Sequence, residues 1–314
     1  MPEGPEIHMA ARFINKVASI HKFGGKIVKS KVSTKNPDVK FQASLYEIHA
    51  EARGKELKVF LSDSKSAKKT HILFRFGMSG SFKLTNVEDL PKHAHLRFFT
   101  VGEKPGKVLC FDDYRRFGRW ELEADWGSDR GPDPMFDYDN FRLNVLENLD
   151  AGVFNKAICE TMLDQKYFNG VGNYLRAEIL FRAKIKPFSQ AREVLESLDK
   201  TCEDKSHPDI LLLCNIVMLE VLKLDKGKNY DPQESDQSFS SWLQCYYVEG
   251  MKNLQDSKGR TIWFTGDPGP LVPKNARVVG RHGKTASKFP KSGINKKKSD
   301  SDSDSESKKK KKSN

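Results

Sequence analysis

At 314 residues the chain exceeds one typical domain and can bury a substantial core, so two domains with accessory segments are expected. No stretch approaches the roughly twenty apolar residues of a membrane span, and the acidic start lacks the basic and apolar regions of a secretory signal; the expectation is a soluble, intracellular chain with no membrane partner. Fourteen Lys/Arg against four Asp/Glu from Lys274 onward supply +10 of the formal net charge of +12, so the basicity reports mainly a tail, and a nucleic-acid surface on the nearly neutral body must be a local patch.

The chain opens Met1-Pro2-Glu3-Gly4-Pro5-Glu6. Removal of Met1 leaves Pro2 with a free secondary amine, which can attack an aldehyde carbon and form an iminium, the covalent chemistry that Lys performs elsewhere. Ile7, Ala11, Ile14 and Ala18 fall on one face at helical spacing, and Pro5 suits the first turn. Pro2 then sits at the positive end of a helix, where the macrodipole disfavours an ammonium and leaves more amine unprotonated. Glu3 adjoins that amine and is the acid/base candidate, while Glu6 suits dipole complementation at least as well. Against a chemical role stands the ordinary looseness of chain termini.

Short β-type runs follow at 26–33, 45–52, 57–61, 71–76, 81–84, 95–100 and 108–112, separated by Gly, Pro, Asp and Lys clusters. The pattern predicts an antiparallel sandwich or barrel. Between two runs, Arg53-Gly54-Lys55-Glu56 offers Lys55 to a phosphate or sugar, or a plain surface cation. Phe76-Gly77-Met78-Ser79-Gly80-Ser81 reads as a hairpin turn with Met78 as a wedge, although methionine is more often core. In Asp112-Asp-Tyr-Arg-Arg-Phe-Gly-Arg-Trp120, Arg115 and Phe117 could fill the gap left when a base leaves a duplex, or the arginines could simply pair with Asp112 and Asp113. The turn formers at 128–134 mark a linker.

A helical domain is predicted from 138 to 224, interrupted at Asn169-Gly170-Val171-Gly172. Glycines there would let backbone approach a phosphate, and the helix resuming at Asn173 offers unpaired N–H groups; an ordinary tight turn capped by Asn173 explains the same residues. A polar loop is expected over 225–237, then strands at 242–248 and 261–264 forming a hairpin with Gly259-Arg260 at its tip. Gln255, in the connection, could read a base edge or face solvent. Cys110, Cys159, Cys202, Cys214 and Cys245 show no short metal-ligand spacing and read as buried reduced thiols. The Lys- and Ser/Asp-rich tail is expected to be disordered, suited to nuclear import, non-specific DNA contact or simple solubilisation.

Pro-Glu-Gly-Pro-Glu, Arg-Gly-Lys55, Phe-Gly-Met-Ser-Gly, Arg-Arg-Phe-Gly, Gly-Val-Gly-Asn173 and Gly-Arg260-Thr occur in one order across residues 1–273. In this the chain resembles the formamidopyrimidine-DNA glycosylase/endonuclease VIII family. The resemblance implies an α+β, multidomain fold: an N-terminal helix with a β-sandwich (1–130), a helix-two-turn-helix domain (131–237), a finger (238–273) and a disordered basic tail (274–314). It implies Pro2 as Schiff-base nucleophile, Glu3 as acid/base and Lys55 as assistant at the sugar and phosphate. Asn173 and Arg260 would hold phosphates, and Met78, Arg115 and Phe117 would fill the void. The family's usual finger binds zinc through two Cys-x-x-Cys pairs, whereas only Cys245 lies here. That departure selects the branch with a zincless β-hairpin finger, so no metal and no cofactor are expected.

The implied activity is excision of oxidised pyrimidines and ring-opened purines followed by strand cleavage, in the nucleus. Implied partners are damaged double-stranded DNA, single-stranded or bubble DNA as a further substrate, and repair or replication proteins through the tail, with the enzyme a monomer. A catalytically silent DNA clamp is the competing class, but it needs the cations without Pro2, Glu3 or Lys55. Tautomerases also use an N-terminal proline, on much smaller chains.

Overall fold

The computed structural model describes residues 2–201, 206–224 and 236–278. Most of the expected loop at 225–237, Cys202 and the tail beyond 278 lie outside them. Helix α1 (Gly4–Ile20) buries Ile7, Ala11 and Ile14 of the stripe expected from spacing and adds Ala10, Phe13 and Val17, while Ala18 is only half-buried. It packs along β3 (Gln42–Arg53) beyond the point where β1 (Phe23–Lys26) stops pairing. There the Asn15 side chain donates to the Ala50 carbonyl at 2.9 Å and accepts the Ala50 N–H at 2.7 Å, so the helix satisfies part of an otherwise open strand edge.

The remaining strands of this lobe are β2 (Val28–Lys29), β4 (Glu56–Asp63), β5 (Lys69–Arg75), β6 (Ser81–Asn86), β7 (Ala94–Phe99), β8 (Lys107–Asp112) and β9 (Arg119–Leu122). They form a five-stranded sheet ordered β1-β3-β4-β5-β9 and a four-stranded sheet ordered β2-β7-β8-β6. All pairings are antiparallel. Phe74 and Trp120 from the first sheet interlock with Phe82 and Phe111 from the second, with ring centroids 5.2–6.2 Å apart. Such stacking of two apolar inner faces is what makes a sandwich. The single run expected at 26–33 is in fact two strands in different sheets, because the chain crosses from one sheet to the other at buried Ile27.

After the linker come α2 (Tyr138–Leu146), α3 (Ile158–Thr161), α4 (Asn173–Arg182), α5 (Ala191–Leu195), α6 (Ile210–Leu224) and α7 (Asp236–Trp242), then β10 (Lys252–Gln255) and β11 (Thr261–Phe264). The hairpin is not a separate packing unit: Cys245, Ile262 and Trp263 share one core with Phe141, Phe168, Leu175 and Val217 of the helices. Its first strand differs from the expected 242–248. Trp242 ends α7, and the N–H groups of Gln244, Cys245 and Tyr246 all point at the buried Glu178 carboxylate at 2.8–3.2 Å, so they cannot join a ladder. The folded part also runs past 274, since the Gln255 N–H donates to the Arg277 carbonyl at 3.0 Å.

Candidate active site

Pro2 precedes Glu3, the N-cap residue of α1, and Glu3 is only 1% exposed. Its carboxylate accepts the Tyr174 N–H at 3.0 Å and the Leu175 N–H at 3.3 Å, capping α4 as well. Gly172, the N-cap of α4, has no side chain for that task, and a Cβ there would lie 2.2 Å from Glu3 Cδ. The Gly4 N–H donates to the Gly170 carbonyl at 2.9 Å, drawing the N-terminus onto the Gly-Val-Gly turn. Lys55 arrives on the β3-β4 turn and donates its Nζ proton to the Val171 carbonyl at 2.7 Å. Three segments distant in sequence thus meet at one junction. The turn at 169–172, which also fitted an ordinary tight turn, is where they meet.

The electrostatics of this junction are unusual. Burial pushes Glu3 up to about 7, against the opposing pull of the Lys55 charge, with Glu6 adding to the rise. Desolvation brings Lys55 down to about 8; Glu3 opposes that fall, and Arg130 and Arg260 reinforce it. Glu6 is raised by burial too, although the Tyr174 hydroxyl donates to it at 2.8 Å. A carboxyl and an amine whose ionisation changes near neutral pH, each within the other's field, can exchange protons with a substrate.

Met78, Arg115 and Phe117 lie together on two adjoining loops of the β lobe. Met78 is 41% and Phe117 54% exposed, and the Arg115 guanidinium sits 5.2 Å from the Phe117 ring centre. Buried Asp113 joins the loops, accepting the Gly118 N–H at 2.7 Å and the Ser79 hydroxyl, while Ser79 Oγ accepts the Arg115 N–H at 3.0 Å. At the hairpin, Arg260 follows the tip with its side chain 40% exposed, 3.2 Å from Asp256. Asn173 opens α4 and donates its side-chain amide to the Thr261 carbonyl at 3.0 Å, so it holds the hairpin directly. Gln255, expected in a loop, instead lies in β10 opposite Thr261 and is half-buried.

Three family profiles match the chain: "Formamidopyrimidine-DNA glycosylase N-terminal domain" over residues 1–120, "Formamidopyrimidine-DNA glycosylase H2TH domain" over 131–206, and "Endonuclease VIII-like 1, DNA bind" over 237–273. Endonuclease 8-like 1 of Mus musculus is 49% identical, covering 88% of this chain and 76% of its own, and that of Homo sapiens 47%, covering 94% and 80%. The chain belongs to the formamidopyrimidine-DNA glycosylase/endonuclease 8-like family. Solved structures of the family share its fold: MutM (Fpg) of Thermus thermophilus has a TM-score of 0.61 at 22% identity over 84% of this chain and 97% of its own, and Lactococcus lactis Fpg 0.59 at 20% over 83% and 97%.

Several residues of this family member's site escaped the sequence. Asp133, in the linker, accepts the Gly54 N–H and faces His8, each at 2.7 Å, which fixes the turn carrying Lys55 to α1. Gln165 steadies the Gly-Val-Gly turn, donating to the Val171 carbonyl at 3.0 Å and accepting the Gly170 N–H at 3.1 Å. Arg176 and Asp256 form an ion pair at 2.8 Å with both side chains 0% exposed. Only the residue types were visible beforehand; Gln165 finds its partners within six positions, but those of Asp133, Arg176 and Asp256 lie dozens of positions away. Among the described residues no group of three or more His, Cys, Asp or Glu side chains could hold a metal. Cys110, Cys159, Cys214 and Cys245 are buried and unpaired with one another.

Proposed function

We propose that this protein is a bifunctional DNA glycosylase and abasic-site lyase of base excision repair, acting in the nucleus as a monomer on oxidised pyrimidines and ring-opened purines in duplex DNA, and on single-stranded or bubble DNA. The observation that carries the reading is the junction where Glu3, next in the chain to Pro2, meets the turn of Lys55, with carboxyl and amine both drawn toward neutrality. Relatives support the substrate class: Lactococcus lactis Fpg has been solved with DNA containing an abasic site and with DNA containing an oxidised pyrimidine.

The damaged nucleotide leaves the stack at a cost of a few kcal/mol, and Met78, Arg115 and Phe117 enter the space. The Pro2 nitrogen, freed of Met1, bonds to C1′ as the bond from C1′ to the base breaks and the base departs with a proton. Glu3 gives a proton to the ring oxygen, opening the sugar as a cationic iminium. That cation acidifies the C2′ proton; its removal expels the 3′ phosphate, a second elimination expels the 5′ phosphate, and hydrolysis of the iminium frees Pro2. Lys55, Asn173 and Arg260 hold the flanking phosphates and sugar. The residues at the hairpin, with one thiol and no histidine from 236 to 278, are not a zinc donor set, and the reaction as written uses none.

The test is borohydride reduction of Met1-free protein on duplex DNA bearing one oxidised pyrimidine, followed by peptide mass mapping. An adduct on Pro2 is expected. An adduct on Lys55 would overturn the nucleophile, and tight binding with no adduct on oxidised or abasic DNA would make the protein a clamp.

A further inference from the structure

Arg260 can grip a phosphate only if the hairpin tip holds it at a fixed height above the junction. Asp256 is 4% exposed and stands where β10 gives way to that tip. Its Oδ1 accepts the N–H groups of Lys258 at 3.0 Å and Arg260 at 2.9 Å; its Oδ2 accepts Arg260 Nε at 3.2 Å and an Arg176 guanidinium N–H at 2.8 Å. One carboxylate therefore binds the main chain and the side chain of Arg260 together with a residue of α4. Arg176 is itself immobilised, since the same nitrogen donates to the Cys159 carbonyl of α3 at 2.9 Å. Glu160 of α3 takes the Ser257 N–H at 2.7 Å, pinning the tip on its other side.

We propose that Asp256 is a positioning residue for Arg260, transmitting the place of α4 to the DNA-holding guanidinium through the buried Arg176 contact. This rests on Arg260 being a phosphate ligand, as proposed above. A buried pair of this kind is a poor way to gain stability, because desolvating both ions offsets most of their attraction. Its geometric yield is specific: α4 begins at the junction where Glu3 caps it, so the helix that sets Glu3 also sets Arg260. The first turn of α4 and the fourth residue along it serve the two halves of one site.

The experiment measures binding of the full chain to duplex DNA holding a tetrahydrofuran abasic analogue, across a salt series, for wild type, D256N, R260A and D256N/R260A. Asn keeps one acceptor oxygen but turns an amide N–H toward Arg176 and Arg260. D256N should weaken binding about tenfold and lower the slope of log affinity against log salt by about one, as R260A does. In the R260A background D256N should add less than about twofold, and D256E should restore part of the loss. Equal factors in both backgrounds, or unchanged binding by D256N, would overturn the role. Should D256N fail to fold, R176Q/D256N, which leaves no unpaired buried charge, is read by the same criteria. Wild type that neither binds nor excises sinks the functional reading instead.

Discussion

Two acid-base pairs, Glu3 with Lys55 and Arg176 with Asp256, meet the start of α4, and their electrostatics run in opposite directions. In the pair Arg176-Asp256, burial works against the Asp256 carboxylate, yet hydrogen bonds from Arg260 and Arg176 and their charges hold it below the usual carboxylate range. At the junction, Glu3 accepts two backbone N–H groups, and Lys55 donates its hydrogen bond to the Val171 carbonyl and acts on Glu3 through its charge; there burial wins and Glu3 rises to about 7. The lesson is that burial alone does not set protonation: the number and charge of the donors facing the carboxylate decide. One pair is built to remain ionised and hold a shape, the other to change charge near neutral pH.

Removing one partner should separate the two most sharply. Asp256→Leu leaves Arg176 buried without its counter-charge, and the expected loss is about 3–5 kcal/mol of stability, read as a lowered denaturation midpoint with an unchanged slope. Glu3→Gln should do the reverse at alkaline pH. A carboxyl raised from 4.5 to about 7 contributes stability that is complete below its unfolded value and disappears as pH rises through about 7. Wild type should therefore lose about 3 kcal/mol from this group between acid and alkaline pH, whereas Glu3→Gln should lack that slope. Denaturant melts from pH 5 to 8.5 measure both. Equal pH dependence in the two proteins would mean that Glu3 titrates normally and that the contrast between the pairs is false.

Smaller is the effect of Arg260→Ala, which lies outside either pair's buried core. It should weaken DNA binding across sequences and cut the salt slope by about one phosphate contact, with stability within about 0.5 kcal/mol of wild type. An unchanged slope would leave Asp256 organising an arginine that holds no phosphate.

Local pattern carried far in this chain where a feature depends on neighbours in sequence. The stripe of α1 was legible from Ile7, Ala11 and Ile14, and most β strands from short β-type runs bounded by turn-forming clusters, because those runs supply the buried residues of the sandwich core. The short β9 was not, since Arg119-Trp120-Glu121-Leu122 follows an arginine-rich loop directly and only Trp120's place in the sandwich marks it as a strand. The start of the hairpin was misplaced for a non-local reason: the aromatic run at 242–248 has β character, but Glu178 claims its amides. In the candidate site the same division holds. Pro2, Glu3, Lys55 and Arg260 stood out by type and motif, whereas Asp133, Arg176 and Asp256 take their meaning from partners that only folding supplies.

The finest probe of the junction is Lys55→Met. Excision should fall steeply with the fold intact, because the sugar and phosphate lose their cation. The residual activity then carries the informative signal. With Glu3 as proton donor, activity declines as pH rises past about 7. The positive charge of Lys55 works to lower Glu3, so its removal raises Glu3 further and the alkaline limb should move upward by about one unit. Asp256→Glu should leave that limb in place, since its charge belongs to the other pair. Single-turnover rates from pH 6 to 9 on a preformed abasic site decide the matter: an alkaline limb that stays put in Lys55→Met would mean that Lys55 and Glu3 do not share a field, and that the limb belongs to some other group.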